Sequence, residues 1–126
     1  MSQYNDTGRK AFEADEAIAQ HLRVKLDSDG KVTVAGLTDK GIGVATRAAF
    51  AAGDIIDVAL NSKPGTVKMV AIEALDAGAT VYSEANGKVQ DTAQATAFQV
   101  GVALEAATAD GDVIEVMPQV GDTAAS

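Results

Sequence analysis

Gly43-Val-Ala-Thr-Arg-Ala-Ala-Phe-Ala-Ala-Gly-Asp-Ile-Ile-Asp-Val-Ala-Leu60 decides the fold, because the chain contains this stretch twice. It aligns without a gap on Gly101-Val-Ala-Leu-Glu-Ala-Ala-Thr-Ala-Asp-Gly-Asp-Val-Ile-Glu-Val-Met-Pro118, and ten of the eighteen positions are identical. Apolar residues recur at alternate positions on either side of a corner of small residues, which is the period of a β-strand. The pattern holds no nucleophile, base or ligand set, so the repeat describes a scaffold.

A β-hairpin is predicted before the first copy. One face of its first strand carries apolar residues and the other carries Arg23 and Lys25, as in a half-buried strand. The three-residue loop Ser28-Asp29-Gly30 places Leu26 opposite Val32, whereas a loop of two or four residues sets apolar against polar side chains. The register therefore selects the three-residue loop, in which Gly30 supplies the positive φ.

The same construction returns at Glu84-Ala-Asn-Gly-Lys-Val89, where Gly87 takes the role of Gly30. The repeat is thus longer than its best-matched stretch, and we infer two similar β-units, about 22–60 and 79–118. The predicted fold class is all-β: a small barrel or sandwich of roughly eight or nine short strands with approximate internal symmetry. We predict a single β domain over 21–120, preceded by an N-terminal arm at 1–20 and followed by a frayed tail at 121–126.

The first 20 residues lack the alternation of the rest. They are interpreted either as a disordered tail or as an extended arm that becomes ordered on a partner. Tyr4, Phe12 and Ile18 would be apolar anchors of such an arm, and the Arg9-Lys10 pair would suit an acidic neighbour. These five residues are the predicted contacts to a partner or to another subunit.

Composition excludes several classes of function. The chain has 126 residues and a net charge of −8, and its ten basic residues are dispersed, which argues against nucleic acid. The absence of Cys excludes a disulfide framework and thiolate chemistry. No apolar run approaches the roughly 20 residues of a membrane span. We predict a soluble protein that contacts neither nucleic acid nor membrane.

No catalytic, cofactor or metal site is predicted. Gly36-Leu-Thr-Asp-Lys-Gly41 lacks the spacing of a phosphate-binding loop, and Asp27-Ser-Asp-Gly30 lacks the later ligands of a calcium loop. The single histidine, His21, cannot form a His-rich metal site. The Gly-Asp pairs at 53–54 and 111–112 could suggest a carboxylate dyad, but as repeat positions at the entry to a strand they favour turns.

The sequence resembles a family of small tailed-bacteriophage head proteins, the capsid decoration or cement proteins, some of which carry recombinase-like labels. The resemblance covers residues 31–117. It rests on the two copies of the repeat, on Leu75-Asp-Ala-Gly-Ala-Thr-Val-Tyr-Ser83 and on Asn86-Gly-Lys-Val89. It implies a β domain on the outer surface of the capsid in the virion, often a homotrimer, that bridges neighbouring major capsid protein subunits and stabilises the shell. No catalytic residue is implied, because the motifs contain none.

Another class stays open beside this one. A small β-fold binding module that recognises carbohydrate or peptide without catalysis would normally expose aromatic side chains, and Tyr82 is the one candidate in the repeat. A hydrolase would need a constellation of residues that the sequence does not offer.

Overall fold

Ten β-strands build the protein in a computed structural model that describes residues 8–61 and 65–119. Within these ranges the fold is all-β, as predicted, and a 3-10 turn at Ala85–Gly87 is its one helical element. The strands are β1 Arg9–Glu13, β2 Arg23–Leu26, β3 Val32–Val34, β4 Gly43–Ala45, β5 Ile55–Leu60, β6 Val67–Val70, β7 Thr80–Ser83, β8 Val89–Gln90, β9 Gln99–Ala103 and β10 Val113–Pro118.

The internal repeat forms two five-stranded antiparallel sheets that have the same strand order. The first sheet has the order β1-β5-β4-β2-β3 and the second the order β6-β10-β9-β7-β8. Each strand of the first sheet therefore has its counterpart five strands later. In both sheets the strand before the hairpin lies at one edge, and the second hairpin strand lies at the other. We call the two halves the first unit and the second unit.

The prediction that residues 9–20 belong to an extended arm is corrected by the structure, because these residues are part of the β domain. Residues 9–13 form strand β1, which pairs with β5 from Arg9 opposite Ala59 to Glu13 opposite Ile55. β1 is the counterpart of β6, so the first unit begins near residue 9 and not at residue 22. These residues are held in the domain because an edge strand satisfies its backbone groups on β5 and buries its inner side chains. The frayed tail at 121–126 lies outside the described residues.

Both predicted hairpins are present. Leu26 pairs with Val32 and Val24 with Val34, the register that the three-residue loop requires. In the second hairpin, the backbone N–H of Glu84 donates to the carbonyl of Lys88 at 3.0 Å. Gly30 and Gly87 have φ of 79° and 73°, values that favour glycine.

The Gly-Asp corners are turns. The Asp54 carboxylate accepts hydrogen bonds from the backbone N–H groups of Phe50 at 2.8 Å and Ala51 at 3.3 Å. Asp112 does the same for Thr108 and Ala109, at 2.7 and 3.2 Å. Each carboxylate thus closes its own corner, and neither is placed for acid/base chemistry.

Each sheet curls around its own core. The edge strands meet at one end through a parallel bridge, Ala14 to Val32 in the first unit and Ala71 to Val89 in the second. The inward side chains of β5 and β10 are buried, as their in-phase alternation predicts. The first core contains Ala14, Ile18, Val24, Val32, Ala45, Ala49, Ile56 and Val58. The second contains Met69, Ala71, Leu75, Val81, Val89, Val100, Ala103, Ala107, Ile114 and Val116, together with Val44 of the first unit.

Gly43 and Gly101 allow a close approach of backbone. A Cβ at Gly43 would overlap the carbonyl oxygen of Ala59 on β5, and one at Gly101 would overlap that of Met117 on β10. The small residues of the repeat thus set the spacing between neighbouring strands of each sheet.

Candidate functional site

The described residues hold no cluster suited to catalysis or metal binding. No group of three or more His, Asp or Glu side chains among them could hold a metal ion. His21 has a φ of 71° where its counterpart is Gly78, so it occupies a turn. Burial, and then the nearby Lys68 ammonium, lower the pKa of the His21 imidazole. Within the same residues, no helix has the length and apolar character needed to cross a bilayer.

A buried arginine joins the two units. Arg23 of β2 is 2% exposed. Its guanidinium donates to the carbonyls of Gly36 at 3.0 Å and Asp39 at 3.2 Å in the first unit. It also donates to the carbonyls of Glu84 at 3.0 Å and Lys88 at 3.2 Å in the second. Burial lowers the pKa of Arg23 to about 10, while Asp39 and Glu84 oppose that shift, so the group is charged at neutral pH.

Two further contacts complete this joint. The Ser83 hydroxyl is buried and donates to the carbonyl of Leu37 at 2.6 Å, while it accepts from the N–H of Phe98 at 2.9 Å. A Cβ at Gly87 would lie 2.9 Å from the Cβ of Leu22 and 3.1 Å from the Arg23 carbonyl oxygen. The hairpin of the second unit therefore packs tightly on β2 of the first, with its polar groups satisfied.

Val44 enters the core of the other unit. Its side chain lies on the outer face of the first sheet, is 2% exposed and packs in the second core near β6. Arg23, its partner across β2 and β4, binds the backbone just before β8. Since β6 and β8 are the two edges of the second sheet, the outer face of the first unit covers the gap between them.

A cleft of about 540 Å³ lies beside this joint. Its walls carry charges of both signs, with Arg9 and Lys68 basic and Glu105 and Glu115 acidic, beside the His21 imidazole. Several of these charges are engaged within the chain. The Arg9 guanidinium lies 3.4 Å from the Asp57 carboxylate, and Glu115 accepts from the Thr66 hydroxyl at 2.7 Å. Arg9 and Glu115 are therefore engaged in contacts within the chain.

The predicted contact residues do not form one surface. Ile18 is 2% exposed in the first core, so its role as a partner contact is corrected: it cannot reach a partner while the unit is folded. Phe12 packs half-buried on the same core, and the Lys10 ammonium lies 5.9 Å from the centre of its ring. Arg9 lines the cleft, and Tyr4 lies outside the described residues.

Exposed apolar side chains mark two other surfaces that the sequence analysis did not single out. Phe50, at the corner of the first unit, is 86% exposed, and Ile55 lies close by. The second surface is the outer face of the second sheet. It carries Leu104, Val113 and Met117, all more than a third exposed. A difference between the two copies of the repeat could have indicated the first surface, because Phe50 occupies the position of Thr108 in the second copy.

Comparison with protein families gives a match to the second half of the chain. No curated protein is similar enough to match the chain. A model of the phage cement protein family matches residues 61–118, a segment that ends with β10 and contains all five strands of the second sheet. Similarity to this family indicates a structural role associated with the capsid. The match thereby confirms the resemblance to phage cement proteins that the sequence motifs indicate.

Proposed function

We propose that the protein binds the outer surface of a phage capsid as a homotrimer and stabilises the shell by bridging neighbouring major capsid subunits. The match to the cement protein family is the observation that carries this proposal. The fold supports it, because Arg23 ties the two units together by hydrogen bonds. Two linked units with contacts at several places can hold two subunits together by many weak interactions at once.

Phe50 is the proposed centre of the capsid contact. An aromatic side chain that is 86% exposed contributes little to the fold, whereas burying it against a partner contributes about 1.5–3 kcal/mol. The second unit forms the same corner with Thr108, whose hydroxyl donates to Asp112 at 2.8 Å. The corner thus needs no aromatic residue for its own structure. Tyr4, Arg9 and Lys10 keep their proposed role as contacts to the capsid or to another subunit.

Binding to undecorated heads tests the proposal. The purified chain is mixed with heads that lack it, the heads are sedimented, and the bound chain and the temperature of head disruption are measured. We expect saturable binding and a higher disruption temperature. Heads that sediment without the chain, or that bind it without a gain in heat resistance, would refute the proposal.

A matched pair of variants locates the contact. Phe50→Thr copies the residue of the second corner, so the domain should melt unchanged while head binding falls at least about tenfold, or roughly 1.4 kcal/mol. Thr108→Ala perturbs the equivalent corner of the second unit and should leave head binding intact. Equal binding by Phe50→Thr and the unmodified chain would remove this corner from the contact.

A further inference from the structure

The outer face of the second sheet is an apolar surface whose counterpart in the same chain is covered. Val102 and Met117 pair across β9 and β10, and Leu104 continues the same face. Leu104 is 45% exposed and Met117 is 37% exposed, while Val102 is half-buried. We call Val102, Leu104 and Met117 the donor face.

The first unit shows what covers such a face. The repeat places Val44 where the second unit has Val102, and Ala59 where it has Met117. Val44 is 2% exposed because it packs in the core of the second unit near β6, and Arg23 beside it binds the backbone just before β8. Ala59, also 2% exposed, lines the cleft next to this contact. The chain therefore contains a template for the contact: the outer face of one unit covers the gap between the edge strands of the next unit.

The matching gap in the first unit is available for the same contact. Its edge strands are β1 and β3, the counterparts of β6 and β8. Lys10 and Phe12 of β1 stand where β6 has Val67 and Met69, and both are half-buried. The counterpart of Leu26 in the second unit is Ser83, which is fully buried against the first unit. Leu26 itself is 47% exposed. We call Lys10, Phe12 and Leu26 the acceptor edge.

We propose that copies of this chain associate head to tail, with the donor face of one copy covering the acceptor edge of the next in the way that its own first unit covers its second. The inference rests on the proposed homo-oligomer and specifies its interface. An interface between two different patches closes into a ring when the rotation permits. A ring of three copies would then present six β-units in sequence.

The contact between copies differs from the joint within the chain in its hydrogen bonding. The counterpart of Arg23 is Thr80, which cannot donate to four carbonyls. The contact between copies therefore lacks the buried clamp of the joint within the chain, and it is weaker and reversible.

Substitutions on the donor face test the interface. Leu104→Glu and Met117→Glu each put a carboxylate on an exposed position, so the domain should fold while self-association, measured by sedimentation velocity, weakens at least about tenfold. Ile55→Glu is the control, since Ile55 is 60% exposed at the end of β5 in the first unit. Circular dichroism melting confirms folding of each variant. A monomeric unmodified chain, or folded donor-face variants with unchanged oligomeric mass, would overturn the proposal.

A mixing experiment distinguishes head-to-tail association from a two-fold symmetric dimer. Leu104→Glu puts a carboxylate on the donor face and Leu26→Glu puts one on the acceptor edge, so each alone should be monomeric. An equimolar mixture should form a dimer through its one intact interface and no larger species. Failure of the mixture to dimerise would contradict the proposal.

Head binding separates this inference from the proposed function. A chain that binds undecorated heads but stays monomeric in these assays would overturn the head-to-tail interface and leave the capsid role standing. A chain that forms the predicted ring but does not bind heads would overturn the capsid role and support the interface.

Discussion

Replacing Arg23 by methionine should release the joint between the two units. Methionine keeps most of the apolar volume but leaves the carbonyls of Gly36, Asp39, Glu84 and Lys88 without their charged donor. Hydrogen bonds to charged groups contribute about 1.5–3 kcal/mol each, but loss of the buried charge offsets part of that sum. A buried acceptor left without a donor costs about 1–3 kcal/mol, so for four carbonyls, less the relief from no longer burying a charge, we expect Arg23→Met to lose about 3–5 kcal/mol.

The loss would be a large fraction of the stability of a small domain, which is about 5–15 kcal/mol. Equilibrium unfolding in urea measures it. Arg47→Met is the matched control, because Arg47 is exposed and should change stability by no more than about 0.5 kcal/mol. Because Arg23 links the units, we also expect its variant to unfold with a shallower dependence on urea or in two steps.

Two results would refute this reasoning. One is a loss from Arg23→Met no larger than that from Arg47→Met, which would mean that water replaces the guanidinium without cost. The other is retention of a single transition with an unchanged slope despite a large loss of stability. In that case Arg23 would stabilise the fold without coupling the units.

Three more predictions follow from the fold. Gly43→Ala should lower the free energy of unfolding in urea by about 2–4 kcal/mol, because the new Cβ would overlap the Ala59 carbonyl oxygen. Gly36→Ala should be tolerated, because its Cβ would lie 3.4 Å from the Asp39 carboxylate oxygen, and equal stabilities of the two variants would contradict the geometry. Ile18→Ala should lose about 2–5 kcal/mol and deletion of residues 2–20 should unfold the first unit, whereas an arm would leave the melting temperature unchanged. Hydrogen bonds from the Thr108 N–H and hydroxyl, and then from the Ala109 N–H, lower the pKa of Asp112 below its usual 3.8. The stability that Asp112 contributes is therefore present at neutral pH and is lost as pH falls through the lowered pKa. Asp112→Asn should flatten the acid side of the plot of unfolding free energy against pH, whereas Asp91→Asn, at an exposed position, should not.

Local rules predicted much of the fold. The hairpin at 24–34 could be derived because only one loop length puts apolar side chains opposite each other. The buried faces of β5 and β10 followed from period-two alternation in both copies of the repeat. Strand β1 was missed because residues 9–21 share three of thirteen residues with 66–78, and because Lys10 and His21 stand where the second unit has Val67 and Gly78.

The joint could not be predicted from local patterns. Arg23 alternates with apolar residues, which is the pattern of a solvated strand face, and Val44 lies on an outer face as well. Both are buried because the second unit covers the first sheet, a contact that joins Arg23 to carbonyls 61 and 65 residues away in sequence. Ile18 was predicted to contact another molecule because local patterns did not show its true neighbour. In the structure it pairs with Ala49 at the corner of its own unit, 31 residues later in the sequence.

Electron cryomicroscopy of heads decorated with the chain tests the central claim most directly. The account predicts density for paired β-units on the outer surface of the shell, with the Phe50 corner against a major capsid subunit and each oligomer contacting more than one subunit. Density confined to the inside of the shell, or contacts of each oligomer to a single capsid subunit, would contradict the claim that this protein stabilises a capsid by bridging.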